Sequence, residues 1–232
     1  MYSFASRGDT AGVRILLEHG ILSFVGRPGD LVIETVKTYN DKEALRILPA
    51  NPRVDVSSRN GNRLTRLIKA VINGYSGIVN ILLEEPRLNP NIPAEDGNTA
   101  LHEAALNHKF TILKALSRDE RMDVNALDSL MRTPLHVACK HSMVEILLAN
   151  GRVNPNARAQ GEQTPLHLAA RHGSREAVNL LLDDERVDTL FLDQHCETPL
   201  ETAGVGLARK SIRFCGITSG LLLDLLCTCM YI

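Results

Sequence analysis

Three histidines share one setting. His102, His136 and His167 are each the fourth residue of a Thr-x-Leu-His run beginning at Thr99, Thr133 or Thr164. Imidazoles can ligate metals and carry protons, but the regular spacing argues against both. Residues one repeat apart lie about one helix-pair width apart, roughly 10 Å by interaxial distances, too far to share one metal ion. Cys139 with His141 invites a nucleophile–base reading. Two residues apart on a helix, however, they point to different faces, and Cys139 reads as a small core residue. There is no Gly-rich phosphate loop, Gly-x-Ser-x-Gly elbow or His-Glu-x-x-His run. The expectation is no catalytic residue, no metal ligand set and no cofactor.

The elements around these histidines recur. Thr99-Ala-Leu-His-Glu-Ala104, Thr133-Pro-Leu-His-Val-Ala138, Thr164-Pro-Leu-His-Leu-Ala169 and Thr198-Pro-Leu-Glu-Thr-Ala203 align, with a weaker copy at Thr65-Arg-Leu-Ile-Lys-Ala70. The threonines are 34, 34, 31 and 34 residues apart. Leu31-Val-Ile-Glu-Thr-Val36 falls in register without the signature residues. A second marker keeps the same step: Arg53-Val-Asp, Arg87-Leu-Asn, Arg121-Met-Asp, Arg152-Val-Asn and Arg186-Val-Asp.

Each unit reads as two short helices. Thr is a good N-cap. Pro134, Pro165 and Pro199 sit where a missing N–H is harmless. Leu101, Leu135, Leu166 and Leu200 begin an apolar stripe. Leu166, Ala169 and Ala170 stand at i, i+3 and i+4, and Val178, Leu181 and Leu182 repeat that spacing after a break at His172-Gly173. The acidic pairs Glu84-Glu85 and Asp183-Asp184 read as solvated ends of second helices. One such unit cannot bury its apolar faces alone, so stacking is required.

Composition agrees with a thin, repeated core. The 232 residues include four Tyr, five Phe and no Trp. With 26 Lys+Arg against 27 Asp+Glu, a basic footprint for nucleic acid is missing. Five cysteines, at 139, 196, 215, 227 and 229, lack disulfide or zinc spacing. The N-terminus lacks a signal-peptide pattern, and no apolar run reaches the ~18 residues of a membrane span. The chain is expected in the cytoplasm, with the nucleus also open.

Thr-Pro-Leu-His-x-Ala on a ~33-residue period resembles the ankyrin repeat. The likeness is strongest over 60–203 and fainter at Gly8-Asp-Thr-Ala-Gly-Val-Arg-Ile-Leu-Leu-Glu-His-Gly20. It implies an all-α solenoid of helix-turn-helix units with β-turn fingers. About seven units are expected, at 1–29, 30–59, 60–93, 94–127, 128–158, 159–192 and 193–216. Residues 1–210 would form the repeat domain and 211–232 an apolar tail. The resemblance also implies that the histidine bonds within its turn and to the next unit, together with the Thr. Glu201 replaces it in the last copy, which suggests weaker cohesion there.

Family members bind other proteins on the concave face, through finger tips and first helices, and seldom do chemistry. Carried over by position, the contact residues are Glu95, Asp96, Asn98, Leu106 and Asn107, then Ser129, Leu130 and Arg132 with Lys140 and His141. The next unit offers Gln160, Glu162, Gln163, Arg171 and His172, and the last Gln194, His195 and Glu197. The implied function is a non-enzymatic interaction scaffold taking a protein or extended peptide, without nucleic acid, and monomeric unless the apolar C-terminal end associates. The alternatives are a regulatory or targeting segment of a larger enzyme, channel or secreted effector, and a hydrolase using Cys139 and His141.

Two departures stand out. Between Thr133 and Thr164 three residues are missing, opposite Ser142, where the helix pair must reverse. A shortened first helix with a tighter turn, a distorted stack and an imperfect reading frame each explain this. The tail Leu221-Leu-Leu-Asp-Leu-Leu-Cys-Thr-Cys-Met-Tyr-Ile232 is apolar where a stack normally ends in a polar face. A capping helix, a partner-docking segment and a truncated or mis-spliced end remain open for it.

Overall fold

The computed structural model describes Ser57, Arg59 and residues 63–139 and 143–203. The expected units 1–29 and most of 30–59, the tail 211–232, and Lys140, His141 and Ser142 lie outside the described residues. The chain divides into two compact units, Met1–Ser129 and Leu130–Ile232.

In the first unit α1 (Arg66–Ile72) and α2 (Ser76–Glu84) form one pair, α3 (Ala100–Leu106) and α4 (Phe110–Arg118) the next. First helices pack on first helices and second on second: α1 lies against α3, α2 against α4. The second unit repeats this with α5 (Pro134–Ala138), α6 (Val144–Leu148), α7 (Pro165–His172) and α8 (Arg175–Leu182). There α5 lies against α7 and α6 against α8. Residues 199–203 open a further helix. The all-helical repeat architecture is as expected; among the described residues the only β-bridge is the isolated pair Arg59–Thr65.

The helices start and stop for local reasons. Thr99, Thr133 and Thr164 each form a capping box with the histidine three residues on. Thr65 caps α1 through Ile68 N–H at 3.2 Å, without such a box. The stops are left-handed. Gly173 ends α7 at φ 65°, and Gly74 and His108 take the same position after α1 and α3. His108 thus stands, at φ 54°, where Gly74 and Gly173 stand in their repeats.

Small residues set the packing. Ala104, Ala105, Ala138 and Ala169 are buried on the first helices, letting neighbours approach. Leu101, Ile112, Leu113 and Leu116 fill the first unit; Leu135, Leu147 and Leu181 fill the second. Each contributes about 1.5–3 kcal/mol by burial. Cys139 lies fully buried among them, as its reading as a core residue requires. Burial pushes its thiol far above the ordinary range, so the reactive thiolate is suppressed. A thiol reagent should label exposed Cys196 in the native protein and reach Cys139 only in denaturant. Native labelling of Cys139 detected by peptide mass would contradict that packing.

The short unit does have a shortened first helix. Five-residue α5 compares with seven in α3 and eight in α7. Its second helix is also short: α6 has five residues against nine in α4. The missing residues are thus taken from both sides of the reversal.

Candidate partner-binding surface

The scaffold that presents this surface is held by three recurring polar devices. The first is the histidine. Nδ1 of His136 lies 2.8 Å from Thr133 Oγ1 and accepts the Thr133 N–H at 3.1 Å. His102 and His167 repeat this with Thr99 and Thr164. With Nδ1 an acceptor, the proton belongs on Nε2. Nε2 of His136 then donates to the Gln163 carbonyl at 3.0 Å, and that of His167 to the Glu197 carbonyl at 3.0 Å. These rings join a helix start to the following finger, which is the structural role expected of them. Glu201 manages only the first half: its carboxylate accepts Thr198 N–H and O–H at 2.7 and 2.8 Å. Those bonds lower its pKa, and as a carboxylate it has no proton to donate onward.

A consequence is pH-dependent stability. Burial, the largest influence, lowers the pKa of His167 below its usual 6.5. The unfolded chain therefore takes up a proton near pH 6.5 that the folded chain resists. This contribution is full above that pH and is lost as pH falls through the folded value. The thermal midpoint should fall between pH 7.5 and 5.5. Asp184 and Asp193, whose pKa values are lowered, lose their contributions only at more acid pH. A flat midpoint from pH 7.5 to 5.5 would contradict the assignment.

The second device is the repeated arginine, whose purpose its regular spacing did not disclose. Arg121 is paired with Asp119 at 2.7 Å, and its other N–H groups reach back to the carbonyls of Leu83 and Glu85 at 2.6 and 2.9 Å. Those carbonyls lie at the end of α2, where backbone acceptors lack helical partners. Arg186 does the same for α6, donating to Leu148 O at 2.9 Å while paired with Asp184 at 2.6 Å. The acidic pairs therefore need correcting. Glu84 and Asp183 are exposed, but Glu85 and Asp184 are half-buried and hold Arg87 and Arg186.

The third device escaped the sequence reading. Asn91 and Asn156, four residues after a repeat arginine, bridge successive loops. Asn91 donates to Arg121 O at 2.7 Å and accepts Asp123 N–H at 2.8 Å. Asn156 bonds Arg186 O and Asp188 N–H at 2.6 and 2.8 Å. The signal was present, since Asn125 holds that position too; the last copy has Leu190 there, 76% exposed.

The fingers project between these anchors. Ala94 N–H donates to Asn98 O at 2.8 Å, Ala159 N–H to Gln163 O at 2.8 Å and Asp193 N–H to Glu197 O at 3.0 Å. Neighbouring fingers join through Ser129 N–H to Asp96 O in the first unit, and Gln160 N–H to Leu130 O and Gln194 N–H to Gly161 O in the second. The residue two before each threonine is left-handed: Gly97 at φ 81°, then Met131, Glu162 and Cys196 at 57–60°.

Of the residues expected to contact a partner, Glu95, Asp96 and Ser129 are exposed in the first unit. Leu130, Gln160, Glu162, Arg171, His172, Gln194 and His195 are exposed in the second. Leu106, Asn107, Arg132 and Glu197 are half-buried. Asn98 and Gln163 differ from the expectation. They are 5% and 8% exposed and turn into the scaffold. Asn98 bonds Asp96 and Glu103; Gln163 holds Arg171 and reaches Asp193 at 3.5 Å. Burial follows because each immediately precedes a capping threonine, with its carbonyl already engaged in the finger.

A family model described as ankyrin repeats, three copies, matches residues 32–128 and again 112–193. That range includes the described threonine–histidine brackets, arginine clamps and most of the fingers. The chain belongs to the ankyrin-repeat family.

Proposed function

We propose that this chain is a non-catalytic interaction module that holds a partner protein or extended peptide against its finger tips and first helices. Ankyrin repeats are in general protein–protein interaction modules. The observation carrying the reading is a division of labour within each repeat. Thr, His, Arg and Asn at the recurring positions have their polar groups engaged in the scaffold, whereas tip residues differ between copies and stand in solvent. Exposed tips include Glu95 in the first unit and Gln160 and Gln194 in the second, with Arg171 exposed in the last turn of α7. Their mixed charge suits a polar protein surface better than a polyanion. Among the described residues, no helix is long and apolar enough to cross a membrane.

The test is affinity capture from a native lysate with the full chain and with a Glu95→Ala, Gln160→Ala, Arg171→Ala, Gln194→Ala variant. The variant should lose the captured protein while keeping its circular dichroism. Undiminished capture would remove the tips from the binding surface, since a few central residues normally dominate such interfaces.

A further inference from the structure

Asparagine followed by glycine is a reactive pair, because the backbone nitrogen after the amide belongs to a residue with no side chain to shield it. Two such pairs stand among the described residues, and the fold treats them differently. Asn73–Gly74 follows α1. There Gly74 is left-handed at φ 74°, its N–H donates to Val71 O at 2.9 Å, and the Asn73 amide donates to Lys69 O at 2.7 Å. The nitrogen that would attack and the group that would leave are both held in helix-end hydrogen bonds. A third pair, Asn60–Gly61, lies outside the described residues.

Asn150–Gly151 follows α6 and is arranged otherwise. Gly151 is exposed, nothing stands within 4 Å of where its Cβ would be, and among the described residues no acceptor meets its N–H. The aligned residue in the first unit is Pro86, so this N–H has no part in the turn. The Arg152 N–H donates to Asn150 Oδ1 at 2.9 Å. That donor polarises the amide carbonyl and meets the oxygen on which negative charge develops when its carbon is attacked.

The residue type at this place is a separate observation. Other copies hold an acid two residues before the repeat arginine and pair the two. Glu85–Arg87 at 2.9 Å and Asp119–Arg121 at 2.7 Å do so in the first unit, and Asp184–Arg186 at 2.6 Å in the second. Among the described copies Asn150 alone breaks the series. Loss of its amide nitrogen would supply the acid that the sister repeats carry.

We propose that Asn150 is a site of self-modification, where the side-chain amide is converted to a carboxylate by its own backbone. The Gly151 nitrogen attacks Asn150 Cγ, the Cγ–Nδ2 bond breaks, and ammonia departs with the proton that the nitrogen gave up. Water then opens the cyclic imide at one of its two carbonyls and is the only co-reactant. One product is aspartate, which can pair with Arg152 as the other acids pair with their arginines. The other is isoaspartate, which routes the main chain through the former side chain. It thereby disturbs the turn in which Asn150 N–H meets Leu147 O and Val153 N–H meets Asn150 O, each at 3.0 Å.

The test is incubation of the full chain at mildly alkaline pH, folded and in urea, followed by peptide mass mapping with isoaspartate resolved by chromatography. In urea Asn73 and Asn150 should convert at similar rates. In the folded chain Asn73 should be slowed many-fold, while Asn150 stays within a few-fold of its rate in urea. Gly151→Ala, for which the space is open, should keep the fold and slow conversion of Asn150 several-fold. Asn150→Asp should keep or raise the thermal midpoint. Folding that slows Asn150 as much as Asn73, or an unchanged rate in Gly151→Ala, would overturn the site. A lower midpoint in Asn150→Asp would overturn the pairing with Arg152.

Discussion

Replacing His136 with Ala should destabilise the protein by about 2–3 kcal/mol, the sum of one stranded backbone N–H and the lost bond to the next finger. The ring serves both its own helix and the next finger. Without it, the buried Thr133 N–H loses its partner, and the buried Gln163 carbonyl keeps only the Ala159 N–H. The location magnifies the loss, because α5 has only five residues. Denaturant unfolding read by circular dichroism gives the comparison, provided the slope is also reported. A cost below about 1 kcal/mol, no more than one ordinary hydrogen bond, would show that the bracket is dispensable. A flatter slope would mean that the stack has split into separately melting parts.

Gly97→Ala should be comparably damaging for a different reason. Gly97 has φ +81°, and a Cβ there would lie 2.5 Å from the Ser129 backbone nitrogen and 2.9 Å from the Asp128 carbonyl carbon. Backbone cannot step aside as a flexible side chain can, and the Ser129 N–H is the group that joins the fingers at Asp96 O. Gly161 supplies the control. Its φ is also +81°, but a Cβ there meets only the Gln194 side chain, at 3.4 Å. Gly161→Ala should therefore cost about 1–2 kcal/mol, the penalty of a left-handed alanine. Gly97→Ala should add roughly 1–2 kcal/mol more for the overpacking. Equal losses in the two variants, measured by the same unfolding experiment, would show that close approach between the fingers is not what requires Gly97.

Much of the fold was legible because each repeat writes its local instructions openly. Thr before Pro-Leu, the alanine pair and the glycine stop all act within four residues, so their effect follows from the chain alone. The 31-residue spacing after Thr133 foretold a shortened helix, since three residues had to be removed somewhere between fixed ends. It could not say that α6 would shorten as well. The surface was less legible. Asn98 and Gln163 are polar residues beside exposed tips, and nothing in their type distinguishes them from Asp96 or Gln160. Asn98 turns to Asp96 and Glu103 of its own repeat, and Gln163 to Arg171 and to Asp193 of the next finger, contacts that only the fold brings together.

What the sequence determined by itself is the unit: two short antiparallel helices, their caps and the period at which they recur. The reason is that helix starts and stops are set by neighbours along the chain. What only the tertiary structure decided is how units are bound to one another and which groups remain free. Arg121 finds its carbonyls 36 and 38 residues back, Asn91 its partner 30 residues ahead, and His136 its acceptor 27 residues on. Those partners are backbone groups, present at every position and therefore invisible as a pattern. Stacking selects among them, because it alone brings a given carbonyl within reach of a given side chain.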